Sequence, residues 1–212
     1  MPLQNRVTPF GEIVALSGRG LVLGNRGILH DDHRSIVRPW QVRRWIACRL
    51  QWKGIRRVVM RPHSYTELFF LDEATAFAAG HRPCAECRNA DYRRFKSLWT
   101  ARFGEPVSAD IIDAAIHADR IERRRKVTYR APLDALPNGT FVEVDDRPWL
   151  VFGDALYAWS DGGYSERRAR GKGRGASVLT PRSIVEILMA GYAPDVHPTV
   201  RAHQSSGNMR YL

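Results

Sequence analysis

The chain has 212 residues, of which 44% are hydrophobic and 10% aromatic, and this composition excludes a disordered or fibrous protein. The formal net charge is +11, and the three cysteines are too few for a disulfide framework, which suits a reducing compartment. No apolar run is long enough to span a membrane, and no signal peptide is recognisable. We expect a cytoplasmic protein that has no membrane contact and attracts polyanions, of which nucleic acid is the commonest.

Residues 10–71 show the composition of β-strands. In residues 43–61, two runs rich in β-branched and aromatic side chains flank Lys53–Gly54. Glycine at that place supplies the positive φ of a two-residue turn. The pattern therefore predicts a hairpin in which Cys48 lies opposite Val59.

The same part of the chain is strongly basic. Between Arg26 and Arg61 there are ten Lys or Arg residues and only two acids. The arginines alternate with apolar residues, so one sheet face could contact phosphate and stack on bases. An ordinary sheet with a solvated outer face would show the same pattern. The candidate nucleic-acid-binding residues here are Arg44, Arg49, Lys53, Arg56 and Arg57.

Two helices are expected after this sheet. Asp72 has the side chain of an N-cap, a short helix would follow over 73–79, and Gly80 would end it. Apolar residues at helical spacing over 92–99 predict a second helix that ends at Gly104.

A third helix is expected after Ser108 and would continue towards the basic run 122–126. That run is interpreted as a positive helix end or as a phosphate contact. The buried face of this helix would consist of Ile111, Ile112, Ala115, Ile116 and Ile121.

The C-terminal part returns to a β pattern. Asn138–Gly139 predicts a turn, with short strands over 140–144, 148–153 and 155–160. A last helix would have Thr180 as its cap and Gly191 as its stop. Its inward face would be formed by Ile184, Val185, Ile187 and Leu188.

Residues 166–177 combine arginine, lysine and glycine and cannot bury an apolar face. We interpret them as a mobile basic loop that contacts phosphate. The candidate binding residues in it are Arg167, Arg168, Arg170, Lys172 and Arg174.

Two of the three cysteines form the CxxC motif Cys84–Cys87, just after the first predicted helix. Such a turn directs two thiolates to one point, as tetrahedral Zn²⁺ requires. Cys48 and His81 are the candidate third and fourth ligands. The alternatives are a buried structural thiol at Cys48, simple packing of His81, and a cysteine pair that binds no metal.

Residues 69–88 resemble the second half of the zinc-binding domain of the Ada family of DNA alkylation-response proteins. The shared features are a short strand, a helix rich in Ala and Glu, and the sequence A-A-G-x-R-P-C-x-x-C, here Ala78–Cys87. The resemblance implies zinc binding and association with DNA, including modified or damaged DNA. The family has a second cysteine pair upstream, where this chain has Lys53 and Arg57, so methyl transfer to a zinc-bound cysteine is not implied.

The sequence also contains candidate residues for an active site. In His30–His33, Asp31 could orient the His30 imidazole for proton transfer, although a solvated turn explains the same residues. Cys48 lies among arginines that could lower its pKa and make it a nucleophile. A zinc ion with three protein ligands could instead activate water. The candidate catalytic residues are Cys48, His30 and Asp31.

We therefore expect one α+β domain over 1–212, with a strand-rich N-terminal half that carries the CxxC zinc knuckle, central helices, and a small C-terminal β segment plus helix. Residues 69–104 would form the Ada-like segment within it. The expected function is that of a zinc-containing DNA-associated protein. The alternative is a hydrolase or hydratase/lyase that acts on DNA or on a modified nucleobase such as a substituted deazapurine. A third possibility is a module that binds acidic proteins.

Overall fold

The structure is a computed structural model that describes residues 1–54, 58–104 and 107–202. The described part contains two six-stranded sheets, one two-stranded hairpin, four α-helices and one short 3-10 helix. This mixture confirms the expected combination of helices and sheets. Within these residues, no helix has the length and apolar character needed to cross a membrane.

The first sheet is formed by the N-terminal half of the chain. Its strands are β1 (Gln4–Val7), β2 (Ile13–Ala15), β3 (Val22–Asn25), β4 (Ile46–Arg49), β5 (Leu68–Phe70) and β6 (Arg82–Pro83). Their order across the sheet is β2-β1-β5-β3-β4-β6. Two neighbouring pairs, β1 with β5 and β4 with β6, are parallel, and the others are antiparallel.

The hairpin predicted around Lys53–Gly54 is wrong. Cys48 pairs with Leu23 on β3, not with Val59, and the other edge of β4 is taken by β6. Lys53 and Gly54 do form a turn with positive φ, but residues 58–67 contain no strand, and 55–57 lie outside the described residues. Long-range pairing with β3 has therefore overridden a local hairpin signal.

Three helices follow: α1 (Glu73–Ala78), α2 (Asn89–Phe103) and α3 (Ala109–Arg120). The predicted cap of α1 is confirmed, since the Asp72 carboxylate accepts the backbone N–H of Thr75 at 2.8 Å. Gly80, with a φ of 84°, ends α1, and Gly104, with a φ of 78°, ends α2. These glycines adopt the left-handed backbone that other residues avoid.

The predicted end of α3 is wrong. After Arg120 the chain forms a hairpin of β7 (Ile121–Glu122) and β8 (Arg125–Lys126). Arg123 and Arg124 both have positive φ, as a tight two-residue hairpin turn requires. The predicted helix face is correct for Ile112 and Ile116, which are buried. It fails for Ile111, which is 55% exposed, and for Ile121, which lies in β7.

The C-terminal sheet is larger than the small β segment expected. Its strands are β9 (Tyr129–Pro132), β10 (Phe141–Val144), β11 (Arg147–Phe152), β12 (Ala155–Ser160), β13 (Gly163–Ala169) and β14 (Gly175–Val178). The order is β13-β12-β11-β10-β14-β9, and all pairs are antiparallel. The 3-10 helix Leu133–Ala135 follows β9, and the turn at Asn138–Gly139 precedes β10, so the three strands predicted around that turn are confirmed.

The predicted basic loop is wrong over most of its length. Residues 166–169 belong to β13 and residues 175–177 to β14, so that only 170–174 connect the two strands. Because β13 is an edge strand, its charged side chains can remain in solvent while its backbone pairs with β12. Low apolar content therefore did not prevent a strand.

The last helix, α4 (Arg182–Met189), begins after Pro181, and its predicted inward face is buried. Thr180 does not cap α4. Its Oγ1 instead accepts the backbone N–H of Phe141 at 2.8 Å, which ties the start of the helix to β10.

Helix α1 is the centre of the fold, and all its residues are buried. Ala76 packs in a cluster with the first sheet, and Ala74 and Ala78 pack in a cluster with the second. Phe77 packs among α2, α3 and α4. Small alanines on two sides let both sheets approach one short helix, and α1 thereby fixes the position of the CxxC motif that follows it.

Candidate metal centre

The three cysteines of the chain lie together. The Sγ atoms of Cys48, Cys84 and Cys87 are all within 4.8 Å of one another, and the three thiols are free. Zinc–sulfur bonds of about 2.3 Å in a tetrahedron place the sulfurs about 3.8 Å apart. The observed spacing is thus close to that of a metal-bound set, and these residues could hold a metal ion.

The parallel pairing of β4 with β6 brings the cysteines together. Ala47 on β4 lies opposite Pro83 on β6, and the backbone N–H of Cys84 donates to the carbonyl oxygen of Ala47 at 2.9 Å. Cys84 consequently leaves the sheet beside Cys48. A short turn then carries the chain to Cys87 and to the start of α2.

Backbone N–H groups surround the sulfur atoms. Cys84 Sγ accepts hydrogen bonds from the backbone of Glu86 and Cys87. Cys87 Sγ accepts the backbone N–H of Arg49 at 3.4 Å. Hydrogen bonds of this kind favour the thiolate, which is the form that binds a metal.

The shared protons shift the pKa values of the thiols in opposite directions. The hydrogen bond from Cys48 lowers the pKa of Cys84 to about 5, against the effect of burial. The pKa of Cys48 is raised by the same hydrogen bond and by burial, and the pKa of Cys87 is raised mainly by burial. The shifts thus favour the thiolate at Cys84 and the protonated thiol at Cys48. A divalent cation would replace the shared protons.

This result bears on the nucleophile hypothesis for Cys48. Neighbouring arginines could have lowered its pKa, but the hydrogen bond to Cys84 and burial raise it. A thiol with a raised pKa is a weaker nucleophile near neutral pH. Cys48 thus fits a ligand better than an activated nucleophile.

Two buried arginines flank the cysteines and were missed by the sequence reasoning. The Arg82 guanidinium donates to both carboxylate oxygens of Asp113, at 2.9 and 2.8 Å. Arg88 pairs with Glu73 and with Asp91, each at 2.8 Å. The two ends of the CxxC turn are therefore anchored to α3, α1 and α2. The available signal was an arginine immediately before Pro83 and another immediately after Cys87.

His81 does not belong to the cysteine group. Its ring packs 4.6 Å from the ring of Phe70 and 5.2 Å from that of Trp45, measured between centroids. Arg26 Nε donates to its Nε2 at 3.4 Å. Burial, and then Arg26 and Arg120, hold the pKa of His81 well below its usual value, so the ring is neutral. The structure thus agrees with the packing alternative.

The candidate catalytic pair His30 and Asp31 is also separate from the cysteines. His30 is buried, with Nδ1 2.6 Å from Thr66 Oγ1 and Nε2 3.2 Å from the carbonyl oxygen of Arg61. The Asp31 carboxylate accepts the backbone N–H groups of His33 and Ser35, each at 2.9 Å. Both ring nitrogens of His30 and the Oδ1 atom of Asp31 are therefore used in local hydrogen bonds, and the Asp31 bonds stabilise a turn.

Three of the predicted nucleic-acid-binding residues lie around β4. Arg44, Arg49 and Lys53 are exposed, and Arg49 directly follows Cys48. The candidates Arg56 and Arg57 lie outside the described residues. The exposed basic side chains thus adjoin the cysteine cluster along the chain.

Most of the second predicted set is bound to neighbouring groups. Arg167 pairs with Asp154 at 2.8 Å, and Arg168 pairs with Asp145 at 3.0 Å. The Arg170 guanidinium donates to the backbone carbonyl oxygens of Leu133, Leu136 and Gly153. The remaining candidates, Lys172 and Arg174, are exposed between β13 and β14.

Comparison of the chain with family models, curated proteins and solved structures finds no match. The likeness of residues 69–88 to the Ada zinc-binding domain thus stays a prediction.

Proposed function

We propose that the chain is a zinc protein that associates with nucleic acid, and that Cys48, Cys84 and Cys87 hold the zinc ion. The observation that supports this most strongly is the approach of three sulfur atoms from β4 and from the turn before α2 to within 4.8 Å of one another. Thiolates are soft ligands that zinc prefers. A redox role is less suited to a thiol set anchored by two buried ion pairs.

The ion would have a structural role. It would join β4 to the turn before α2, and the cysteines of these two segments are far apart in sequence. Arg82 and Arg88 already fix the backbone on both sides of the CxxC turn. Such a rigid frame lowers the entropic cost of arranging three ligands around one ion.

The alternative is an enzyme of the hydrolase or hydratase/lyase class that acts on DNA or on a modified nucleobase. It is favoured by the number of ligands, since three thiolates leave one coordination position for water. Activity towards such a substrate that is lost when zinc is removed would favour the enzyme. A fourth protein ligand would favour the structural role.

Nucleic-acid association is proposed from charge and position. The chain has a net charge of +11, and Arg44, Arg49 and Lys53 form an exposed basic segment around β4. Cations at the surface bind phosphates and release counterions, so affinity should fall steeply as salt increases. DNA, including modified or damaged DNA, is the polyanion implied by the Ada-like segment.

Metal analysis tests the first half of the proposal. Protein purified under reducing conditions should contain one zinc ion per chain, and cobalt substitution should produce sulfur-to-cobalt charge-transfer absorption. Cys48→Ser should lose most of the metal and of that absorption. His33→Gln, which changes a histidine on an exposed turn, is the matched control and should retain both. A metal-free wild-type protein would contradict the proposal.

Salt-dependent binding tests the second half. The triple variant R44Q/R49Q/K53Q should bind a random-sequence duplex more weakly, and each lost phosphate contact should reduce the slope of log affinity against log salt by about 0.9. The variant R19Q/R38Q/R93Q removes the same charge from other exposed positions and is the control. Equal effects of both variants would contradict a specific basic segment. Absence of binding at low salt, with zinc present, would contradict nucleic-acid association.

A further inference from the structure

A cavity of about 440 Å³ lies between the first sheet, the β7–β8 hairpin and β10, and it is open on one side. Its wall includes Arg26, Trp45, Arg120 and Lys126. Trp45 precedes Cys48 by three positions, and side chains at such a spacing lie on opposite faces of a strand. The cavity is therefore on the other side of β4 from the cysteines.

Two buried guanidinium groups pack on one indole ring. The Cζ atoms of Arg26 and Arg120 are 4.1 and 3.7 Å from the centre of the Trp45 ring. Arg26 is 1% and Arg120 2% exposed. Cation–π contacts orient the two groups, and they replace part of the hydration that the charges lose on burial.

Backbone carbonyl oxygens account for the positions of these cations. Arg120 Nη1 donates to Gly80 at 2.5 Å, and Lys126 Nζ donates to Ala78 at 2.6 Å, both at the C-terminus of α1. Arg26 Nη1 donates to the carbonyl oxygen of Gly11 at 2.9 Å. A helix C-terminus carries a partial negative charge and attracts cations, but its partial charge does not neutralise three of them.

Among the described residues, none of the three cations has a carboxylate in direct contact; the acidic group that acts on Arg120 is Asp113, which is already paired with Arg82. Within the described part of the chain, no carboxylate forms an ion pair with Arg26, Arg120 or Lys126, and the buried atoms Arg26 Nη2 and Arg120 Nε have no hydrogen-bond partner. Burial, together with repulsion from the other cations for Arg120 and Lys126, lowers the pKa of Arg26 to about 9, of Arg120 to about 8 and of Lys126 to about 7. Buried cations with unused donors are costly unless an anion meets them.

The rest of the wall is largely apolar. It is formed by Phe10, Pro39, Trp40, Ala79, Ile121 and Leu179. Arg124 and Arg125 add exposed positive charge, and the carboxylates of Glu12 and Glu143 also border the cavity. Its volume is that of sites for small organic ligands and exceeds what a phosphate ion alone would fill. The lining therefore suits an anion with a flat apolar body.

We propose that this cavity binds the phosphate group of a nucleotide, with Arg26, Arg120 and Lys126 facing the phosphate and the wall at Trp40 facing the base. Guanidinium groups match phosphate oxygens in geometry and remain more weakly hydrated than ammonium groups, which favours their use in buried sites. The phosphate has two sources with the same chemistry: a free nucleoside monophosphate, or the 5′-terminal phosphate of a nucleic-acid strand. The site is separate from the cysteines and from the exposed basic segment around β4.

Calorimetric titration with adenosine monophosphate, adenosine and inorganic phosphate tests this inference. The monophosphate should bind and raise the Tm, adenosine should not, and inorganic phosphate should compete. Lys126→Met keeps the aliphatic length and removes the charge, so it should weaken the monophosphate about tenfold. Glu12→Gln removes a carboxylate from the wall and should strengthen binding severalfold. The second variant keeps the test decisive if Lys126→Met fails to fold.

A 5′-phosphorylated and a 5′-hydroxyl oligonucleotide of one sequence distinguish the two sources. Preference for the phosphorylated strand that is lost in Lys126→Met assigns the site to strand ends, whereas binding of the monophosphate alone assigns it to free nucleotides. The inference is overturned if adenosine and its monophosphate bind equally, or if neither binds at millimolar concentration. R44Q/R49Q/K53Q should leave monophosphate binding unchanged, and Lys126→Met should leave zinc content unchanged, so failure of this site is distinguishable from failure of the proposed function.

Discussion

The backbone N–H of Cys84 donates to the carbonyl oxygen of Ala47, at 2.9 Å, and thereby extends the pairing of β4 and β6 by one residue. Because Cys48 follows Ala47, this one hydrogen bond sets the third thiol beside the CxxC turn. The geometry of the candidate metal centre thus depends on the register of a two-residue strand. Ion binding and sheet pairing should stabilise each other.

Removal of the metal should therefore loosen this region locally. After treatment with a strong chelator, we expect a lower Tm and faster hydrogen exchange in β4, β6 and the first turn of α2. These segments would no longer be joined by the metal ion. Amides of β11 and β12, in the other sheet, serve as the internal control and should keep their protection. Uniform loss of protection across both sheets would contradict a local role for the ion.

Breaking the Arg82–Asp113 pair from one side should be strongly destabilising. Both side chains are buried, and Asp113→Asn leaves a buried guanidinium without its counter-charge, so we expect a loss of about 3–5 kcal/mol in the free energy of unfolding. Arg102→Gln, in a more exposed pair with Glu186, is the control and should cost at most about 1 kcal/mol. Denaturant titrations measure both. Similar losses of unfolding free energy in the two variants would show that burial does not determine the cost of breaking an ion pair.

Gly80 should be less replaceable than Gly191, although both end helices with positive φ. A Cβ at Gly80 would lie 2.4 Å from Cδ of Arg120, whereas a Cβ at Gly191 would have no neighbour within 4 Å among the described residues. Alanine at either position incurs the strain of a left-handed backbone, about 1–2 kcal/mol. Gly80→Ala should lower the free energy of unfolding clearly more than Gly191→Ala does, because the Arg120 side chain must move away from the Trp45 ring. Equal Tm shifts would exclude this steric coupling.

Arg170 and Arg49 should separate structure from binding. The Arg170 guanidinium is used by three backbone carbonyl oxygens, so Arg170→Gln should lower the Tm and leave the salt dependence of DNA binding unchanged. Arg49 is exposed, and Arg49→Gln should do the reverse. Thermal denaturation and fluorescence anisotropy measure the two properties. A weaker salt dependence of DNA binding in Arg170→Gln would show that Arg170 does contact phosphate.

Local signals in the sequence were sufficient to place the four helices, although not the end of α3 or the cap of α4. Helix α1 begins after Asp72 and ends before Gly80, because an N-cap carboxylate and a left-handed glycine affect only residues that are close in sequence. The same is true of the turn at Asn138–Gly139. The strand predictions were wrong where the pairing is long-range. Cys48 pairs with Leu23, and no residue near Lys53 in sequence indicates this pairing.

The candidate site was predictable in part for the same reason. The CxxC motif is local, and Cys48 was the remaining thiol, so the sequence indicated all three residues of the cysteine cluster. His81 was misplaced because histidine serves equally as a ligand and as a neutral packed ring, and only its contact with Arg26 decides between them. The cationic cavity could not be foreseen, since Arg26, Arg120 and Lys126 meet only through the packing of β3, α3 and the β7–β8 hairpin.

Stability should rise with pH because of the buried cations. Burial, then repulsion from Arg26 and Arg120, lowers the pKa of Lys126 from 10.5 to about 7. Between these values the unfolded chain binds the proton and the folded chain does not, so raising the pH from 7 towards 10 favours the folded state. After allowance for the partial exposure of Lys126, we expect a contribution of roughly 1–3 kcal/mol.

Urea titrations of the wild type and of Lys126→Met at pH 7 and pH 9.5 isolate this contribution from other titrating groups. The stability of the wild type relative to that of the variant should rise with pH, since the wild type loses a buried charge that the variant never has. Groups that face Lys126 also titrate or carry charge, namely Arg26, Arg120, His81, Glu12 and Glu143. Their effects cancel when the stability of the variant is subtracted from that of the wild type, provided that the variant does not move these groups.

Saturating adenosine monophosphate should flatten the dependence of wild-type stability on pH, because a bound phosphate restores the proton on Lys126. If adenosine monophosphate leaves the pH dependence of stability unchanged, its phosphate does not bind beside Lys126.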